Sequence, residues 1–466
     1  MWFILKHEWL NWLRNRVFAG LGMVLLLLLV VVCFSSVQQY QEQKNSRQAA
    51  KQEVRAQWEN MGPSNPHGAA HFGSYAFKPL GPLSFFDGGL QQITGSNLRL
   101  EGHVQNELVN SPASQGTLVS RFGVLNPALL LQLIFSFLLL LLGFDAVRQE
   151  RIQGRWSLLL HQSKQTRRLL FAKALAIWLL AMLLLLVLLV LGLIWAGNNL
   201  VWMRWLYLLM AYGLFFWLCI VLGIALAARL RQANNALTWL VSIWVLWVLV
   251  SPRFFHSVAE QLHPLPSRFD FEQAMREDRA KGIDGHNPAD GREKALRDSV
   301  LQAHGVTVVD SLPFNFDGLI MQADEEYGNM VWDKHLGGLH QTLLKQQEML
   351  QWLGMANPFM ALKRLSMGIA GTDLSHHLDF QEQAEIYRRQ FIKKLNYEHA
   401  YGGSKTGDWS WEASQDFFNS IADFHYQLPA YSPWSKRFWL DWLVLLSWCI
   451  GLSALVWTFK GKAENL

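Results

Sequence analysis

Long apolar runs alternate with polar blocks along this chain. Residues 17–34, 127–147, 169–196, 205–228, 236–250 with their flanks, and 438–459 are each almost wholly apolar. A run of about 18 such residues crosses a hydrocarbon core as a helix, because every backbone polar group then finds its partner inside the segment. The second run, with leucines at 129–131 and 138–142, excludes a soluble fold. The first run follows a basic start, as a signal peptide does. It is long for a signal core, and no small-x-small site precedes Gln38, so a retained helix is expected.

Two polar blocks, 35–126 and 251–436, separate the spans. Residues 38–59 lack proline and glycine, which predicts that the first helix continues beyond the membrane as a stalk. Residues 62–90 mix Gly, Pro and aromatics and read as ordered but irregular. In the second block, Leu336, Leu339, Leu343, Leu344, Leu350 and Leu353 recur at helical spacing, and Asn357-Pro358 ends that pattern. Helices are also expected over 380–397 and 409–424, a loop over 282–291, and one short strand at 306–309. The fold class is therefore an all-α membrane protein with six transmembrane helices and a mostly helical extracytoplasmic domain built from two insertions. Its divisions are 1–34 (an interfacial helix and span 1), 35–126, 127–250 (spans 2 to 5), 251–436, and 437–466 (span 6 and tail).

Basic residues orient the bundle. Lys6, Arg14 and Arg16 precede the first run; Arg148, Arg151, Arg155, Lys164, Arg167, Arg168 and Lys173 lie between the second and third. Arg229 and Arg231 follow the fourth, and Lys460 and Lys462 follow the sixth. The gap 197–204 offers only Arg204. The positive-inside rule then places both termini in the cytoplasm. The net charge of +5 is accounted for by these residues, so it reads as topology and headgroup contact, not as a nucleic-acid surface. Cys33, Cys219 and Cys449 all fall in apolar runs, which leaves the exported blocks without a disulfide. Trp195, Trp202, Trp205, Trp434 and Trp439 stand at span ends, where amphipathic rings anchor.

Catalytic signals are lacking. The nearest imitation of a phosphate loop, Tyr401-Gly402-Gly403-Ser404-Lys405-Thr406, has serine where the last glycine belongs. No nucleophile motif, metalloprotease spacing or intramembrane carboxylate pair is present, so a non-catalytic subunit is expected. Only Asp145, Asp441 and Lys173 approach the spans, near their ends, which disfavours coupling to a proton or sodium gradient. His67 and His71 stand four apart, and His376 and His377 lie beside Asp373 and Asp379. These histidines are either a zinc or copper site assembled from both blocks or hydrogen-bonded structural residues.

Between the second and third runs the chain turns at Gly154, offers Trp156, Leu158, Leu159 and Leu160, and returns through Arg167, Arg168 and Lys173. Physics alone allows an interfacial helix or a plain basic connector. The segment resembles the coupling region of type-2 ATP-binding-cassette export permeases, a Glu-Arg-Glu-x-Gly-Thr-Leu pattern followed by leucines and a Gly-Lys-x-x-Ala. Glu150, Arg151, Gly154, Leu158, Leu159, Lys173 and Ala176 match it; Ile152, Arg155, Trp156 and Ala172 depart from it. The stretch from Lys6 to Arg16, with Glu8, Trp9 and Trp12, resembles the elbow helix that opens such permeases.

The chain is similar, more narrowly, to a subfamily with a large exported domain of unassigned function. His67-Gly68-Ala69-Ala70-His71-Phe72, Tyr75-Ala76-Phe77-Lys78-Pro79-Leu80, Leu312-Pro313-Phe314-Asn315, and Ser366 to Asp373 with His376 and His377 carry that likeness. The resemblance implies a permease in a bacterial inner membrane, paired with a second chain, identical or homologous. Separate ATPase subunits would bind ATP and Mg and dock on Glu150, Gly154, Arg155, Trp156 and Leu159. An alternative is a mechanical transmitter acting on an envelope protein or lipid, with no solute path.

Overall fold

The computed structural model of the chain describes residues 5–6, 8–10, 16–111, 125–156, 166–196, 202–230, 232–433 and 435–459. Within them, six helices are long and apolar enough to cross a membrane: Gly22–Glu59, Pro127–Ile152, Thr166–Gly192, Trp202–Arg229, Asn234–Leu262 and Trp439–Trp457, spans 1 to 6. Span 1 is part of one unbroken helix, Arg16–Glu59. At ~1.5 Å per residue its 44 residues reach roughly 66 Å, twice the hydrocarbon thickness. The polar half therefore stands outside as a stalk.

Span 4 is the centre of the bundle, packed against spans 2, 3 and 6 and the outer helix Pro358–Ala370. Its crossing with span 2 is close because glycines face backbone there. A Cβ on Gly143 would lie 2.3 Å from the Ile220 carbonyl oxygen, and one on Gly223 would lie 2.3 Å from that of Leu140. Small residues at such crossings let two helices approach and gain dispersion contact in a solvent where apolar burial gives no drive.

The second block supplies helices Arg268–Lys281, Ala289–His304, Phe316–Leu353, Pro358–Ala370 and Leu374–Tyr401. The two longest begin at side-chain caps: Asn315 Oδ1 accepts from Asp317 N at 2.9 Å, and the Asp373 side chain accepts from His376 N. The 402–406 segment serves the first of these caps. Asn315 Nδ2 donates to Ser404 Oγ at 2.9 Å and Phe316 N donates to Thr406 Oγ1 at 3.0 Å, so its hydroxyls hold a helix start.

Three expectations need correction. The irregular stretch after the stalk contains a helix, Pro66–Phe72, and a strand, β1 (Ser74–Phe77), paired antiparallel with β2 (Asn97–Leu100) so that Ser74 faces Leu100. Residues 306–309 form no strand; Val309–Ser311 is a single 3-10 turn, and the valines find no ladder partner among the described residues. The helix expected over 409–424 shrinks to Gln415–Asn419. Its aromatics instead fill a core around the stalk, where Trp58 Nε1 donates to the Phe418 carbonyl at 3.0 Å and the Trp58 ring packs 5.2 Å from Phe391.

The outer domain also seals the bundle. Phe359, Leu362, Leu365 and Ile369 belong to the same apolar core as the spans. Tyr212 of span 4 lies 3.0 Å from Ser366 Oγ, Ser366 donates to Asp87, and Arg204 donates to the Ile369 carbonyl at 2.8 Å. Burial raises the Asp87 pKa above the usual carboxylate value.

Candidate functional site

At the end of the bundle away from the extramembrane domain, three chain segments meet on charges. Lys173, at the start of span 3, is 2% exposed. Its Nζ donates to Glu150 Oε1 at 3.0 Å and to Glu8 of the N-terminal segment. Glu150 holds Arg155 through Oε2 at 3.0 Å. Trp9 Nε1 donates to the Ala176 carbonyl at 3.0 Å, one helical turn along span 3 from Lys173. A buried ammonium persists only with partners that repay its lost hydration, and two carboxylates do so here.

Span 2 ends in this cluster. Its last residues wind to Ile152, and Gly154 takes φ +68°, a left-handed turn closed by the Gly154 N to Arg151 carbonyl bond at 3.0 Å. Arg151 reaches across to span 4 and donates to the Ala228 carbonyl at 2.9 Å, satisfying a helix C-terminus. The turn thus touches the N-terminal segment and spans 2, 3 and 4.

Trp156, one of the expected docking residues, does not project. It is 5% exposed, its ring 6.4 Å from that of Phe459 and 5.3 Å from the Arg151 guanidinium. A large ring beside an apolar tail and a cation gains more from packing than from standing in water. Ile152, Gln153, Gly154 and Arg155 are the exposed residues of this tip. Ile152 stood as a departure from the resembled pattern, and its exposure on the last turn of span 2 was not legible there. Leu159 and Trp12 lie outside the described residues.

The histidines divide differently from the expected pairing. His67 and His71 come together on the Pro66–Phe72 helix, with Nε2 atoms 3.1 Å apart, and His103 joins them. His376 instead pairs with Asp373, and His377 Nδ1 lies 3.0 Å from Lys78 Nζ. Burial first, then the neighbouring Lys78, pushes the His377 pKa down to about 3. Burial also lowers Lys78 to about 8.

Residues 268–427 match a family described as a domain of unknown function (DUF3526). That match covers most of the second extramembrane block, including the Phe316–Leu353 and Leu374–Tyr401 helices. No curated protein and no solved structure matches the chain. The protein is a multi-span membrane protein with six apolar transmembrane helices and a helical extramembrane domain.

Proposed function

We propose that this chain is the membrane-spanning permease subunit of an ATP-driven exporter, working beside a second permease chain and two separate ATPase subunits. The observation that carries the reading is the buried Glu8–Lys173–Glu150 cluster under an exposed Ile152–Arg155 tip. A tip whose base is ion-paired to the neighbouring span and the N-terminal segment moves as one piece with them. ATPase closure, felt at the tip through differential contact with its two states, would then reach spans 2, 3 and 4 together. ATP and Mg stay in the partner. In this reading both termini and the tip are cytoplasmic, in a bacterial inner membrane.

Co-purification tests it. Full-length tagged chain should bring down an ATP-hydrolysing subunit, and Arg155→Ala, which leaves Glu150 paired with Lys173, should reduce that recovery while leaving the chain folded. Unchanged recovery would contradict docking at the tip.

A second reading draws on the stalk. The unbroken Arg16–Glu59 helix and the extension of span 5 to Leu262 link the bundle to the outer domain with continuous backbone. Such levers suit a subunit that works mechanically on an envelope protein or lipid, driven by the same ATPase.

A further inference from the structure

We propose that His67, His71 and His103 form a three-histidine site for one divalent transition-metal ion of the zinc and copper class, in the extramembrane domain. Each residue offers one ligand nitrogen, and the three lie within 4.8 Å of one another.

The site is built from separate parts of the chain. Asn65 caps the Pro66–Phe72 helix, accepting from His67 N at 2.9 Å, and Pro66 opens its first turn. The helix sets His67 and His71 on one face, so their Nε2 atoms meet at 3.1 Å. In a tetrahedral zinc site with bonds of ~2.0–2.1 Å, ligand nitrogens stand roughly 3.3 Å apart. The pair already has ligand spacing.

His103 comes from the loop after β2. Its backbone takes φ +65°, a left-handed conformation seldom adopted by histidine. One carboxylate holds it there: Glu325 accepts from the His103 backbone N, and its Oε1 lies 3.0 Å from His103 Nδ1. That leaves Nε2 as the ring nitrogen for an ion, in the carboxylate–histidine–metal arrangement that fixes tautomer and raises ligand basicity. Glu325 is itself fixed by Arg388 at 3.2 Å, and Arg388 by Glu385 at 2.8 Å and Asn329 at 2.6 Å. The His103 ring centroid stands 5.3 Å from that of His71 and 5.7 Å from that of His67. A small swing of the third ring closes the set.

The donor chemistry selects the ion. Three imidazole nitrogens, with no carboxylate oxygen in the donor set, disfavour magnesium and calcium, which want oxygen. His71 is exposed while His67 and His103 are half-buried, so the ion enters from water and a fourth position stays open. A hydrogen bond between the His67 and His71 Nε2 atoms leaves the buried His67 Nδ1 without a partner among the described residues, and it does not explain why Glu325 holds His103 toward them.

The test uses full-length protein in detergent, purified without a histidine tag and stripped with chelator. Zn²⁺ should bind at one ion per chain by elemental analysis, and Co²⁺ should give visible absorption of a low-symmetry nitrogen site. His71→Ala, at an exposed position, should leave metal-free thermal unfolding unchanged and abolish the Co²⁺ bands. His103→Asn tolerates the left-handed backbone and should weaken Zn²⁺ binding by about 100-fold or more, and Glu325→Gln by roughly 10–100-fold. Cu²⁺ should displace Zn²⁺ at the same one-to-one stoichiometry, as the affinity order for nitrogen donors requires of a single shared site. No stoichiometric Zn²⁺ or Cu²⁺, or binding unaltered by His71→Ala, overturns the proposal.

Discussion

Lys173 Nζ stands 3.0 Å from Glu150 Oε1, joining two positions 23 residues apart across the turn between spans 2 and 3. Glu8 completes the cluster from the other side. Removing the ammonium leaves two carboxylates buried, with Arg155 the one cation paired to either of them among the described residues. Lys173→Met should therefore destabilise the protein by about 3–5 kcal/mol. Adding Glu150→Gln to it should restore part of that loss, since one uncompensated charge is gone. Thermal unfolding in detergent of the two single variants and the double variant measures the coupling.

The span 2–span 4 crossing tolerates no side chain at its closest point. Gly223→Ala places a methyl against the Leu140 carbonyl and should cost about 1–3 kcal/mol, because a helix backbone cannot yield as a side chain can. Gly451 of span 6 has open space around it, so Gly451→Ala serves as the neutral control. Comparing folded yield and unfolding temperature of the two variants checks the account.

Trp58 fastens the stalk into the outer domain through the Phe418 carbonyl and the Phe391 ring. Trp58→Ala should cost about 3–5 kcal/mol of outer-domain stability. Hydrogen exchange should show faster opening at Gln415–Asn419 and the upper stalk, with the spans unaffected.

Acid should loosen the same domain. The His377 pKa lies near 3 in the folded chain and near the ordinary value of 6.5 when unfolded. Between those values the unfolded chain binds the extra proton, so the stabilisation is whole above 6.5 and drains away as pH falls toward 3. His377→Asn keeps an acceptor for Lys78 and should flatten that part of the pH profile, read by unfolding at fixed temperature from pH 7 to pH 4.

The spans were legible because lipid leaves a chain few choices: an apolar run of that length must be a helix. The stalk was legible for a related reason, since nothing between Gln38 and Glu59 breaks a helix. Aromatic spacing misled at 409–424, where the rings are dispersed over an irregular path and are gathered by Trp58, a residue more than 350 positions away. Glu150 and Lys173 were readable as motif positions, but their contact was not. His103 gave no signal at all: its place depends on a left-handed backbone and on Glu325, neither of which has a local pattern.

The central claim is that a nucleotide-driven partner seats on the Ile152–Arg155 tip. A photo-crosslinking amino acid in place of Arg155, activated in native membranes, tests it directly. The expected product is an adduct with an ATP-hydrolysing subunit whose yield changes when a non-hydrolysable nucleotide is added. An adduct with lipid alone, or labelling of that position by a reagent confined to the outer side, would contradict the account.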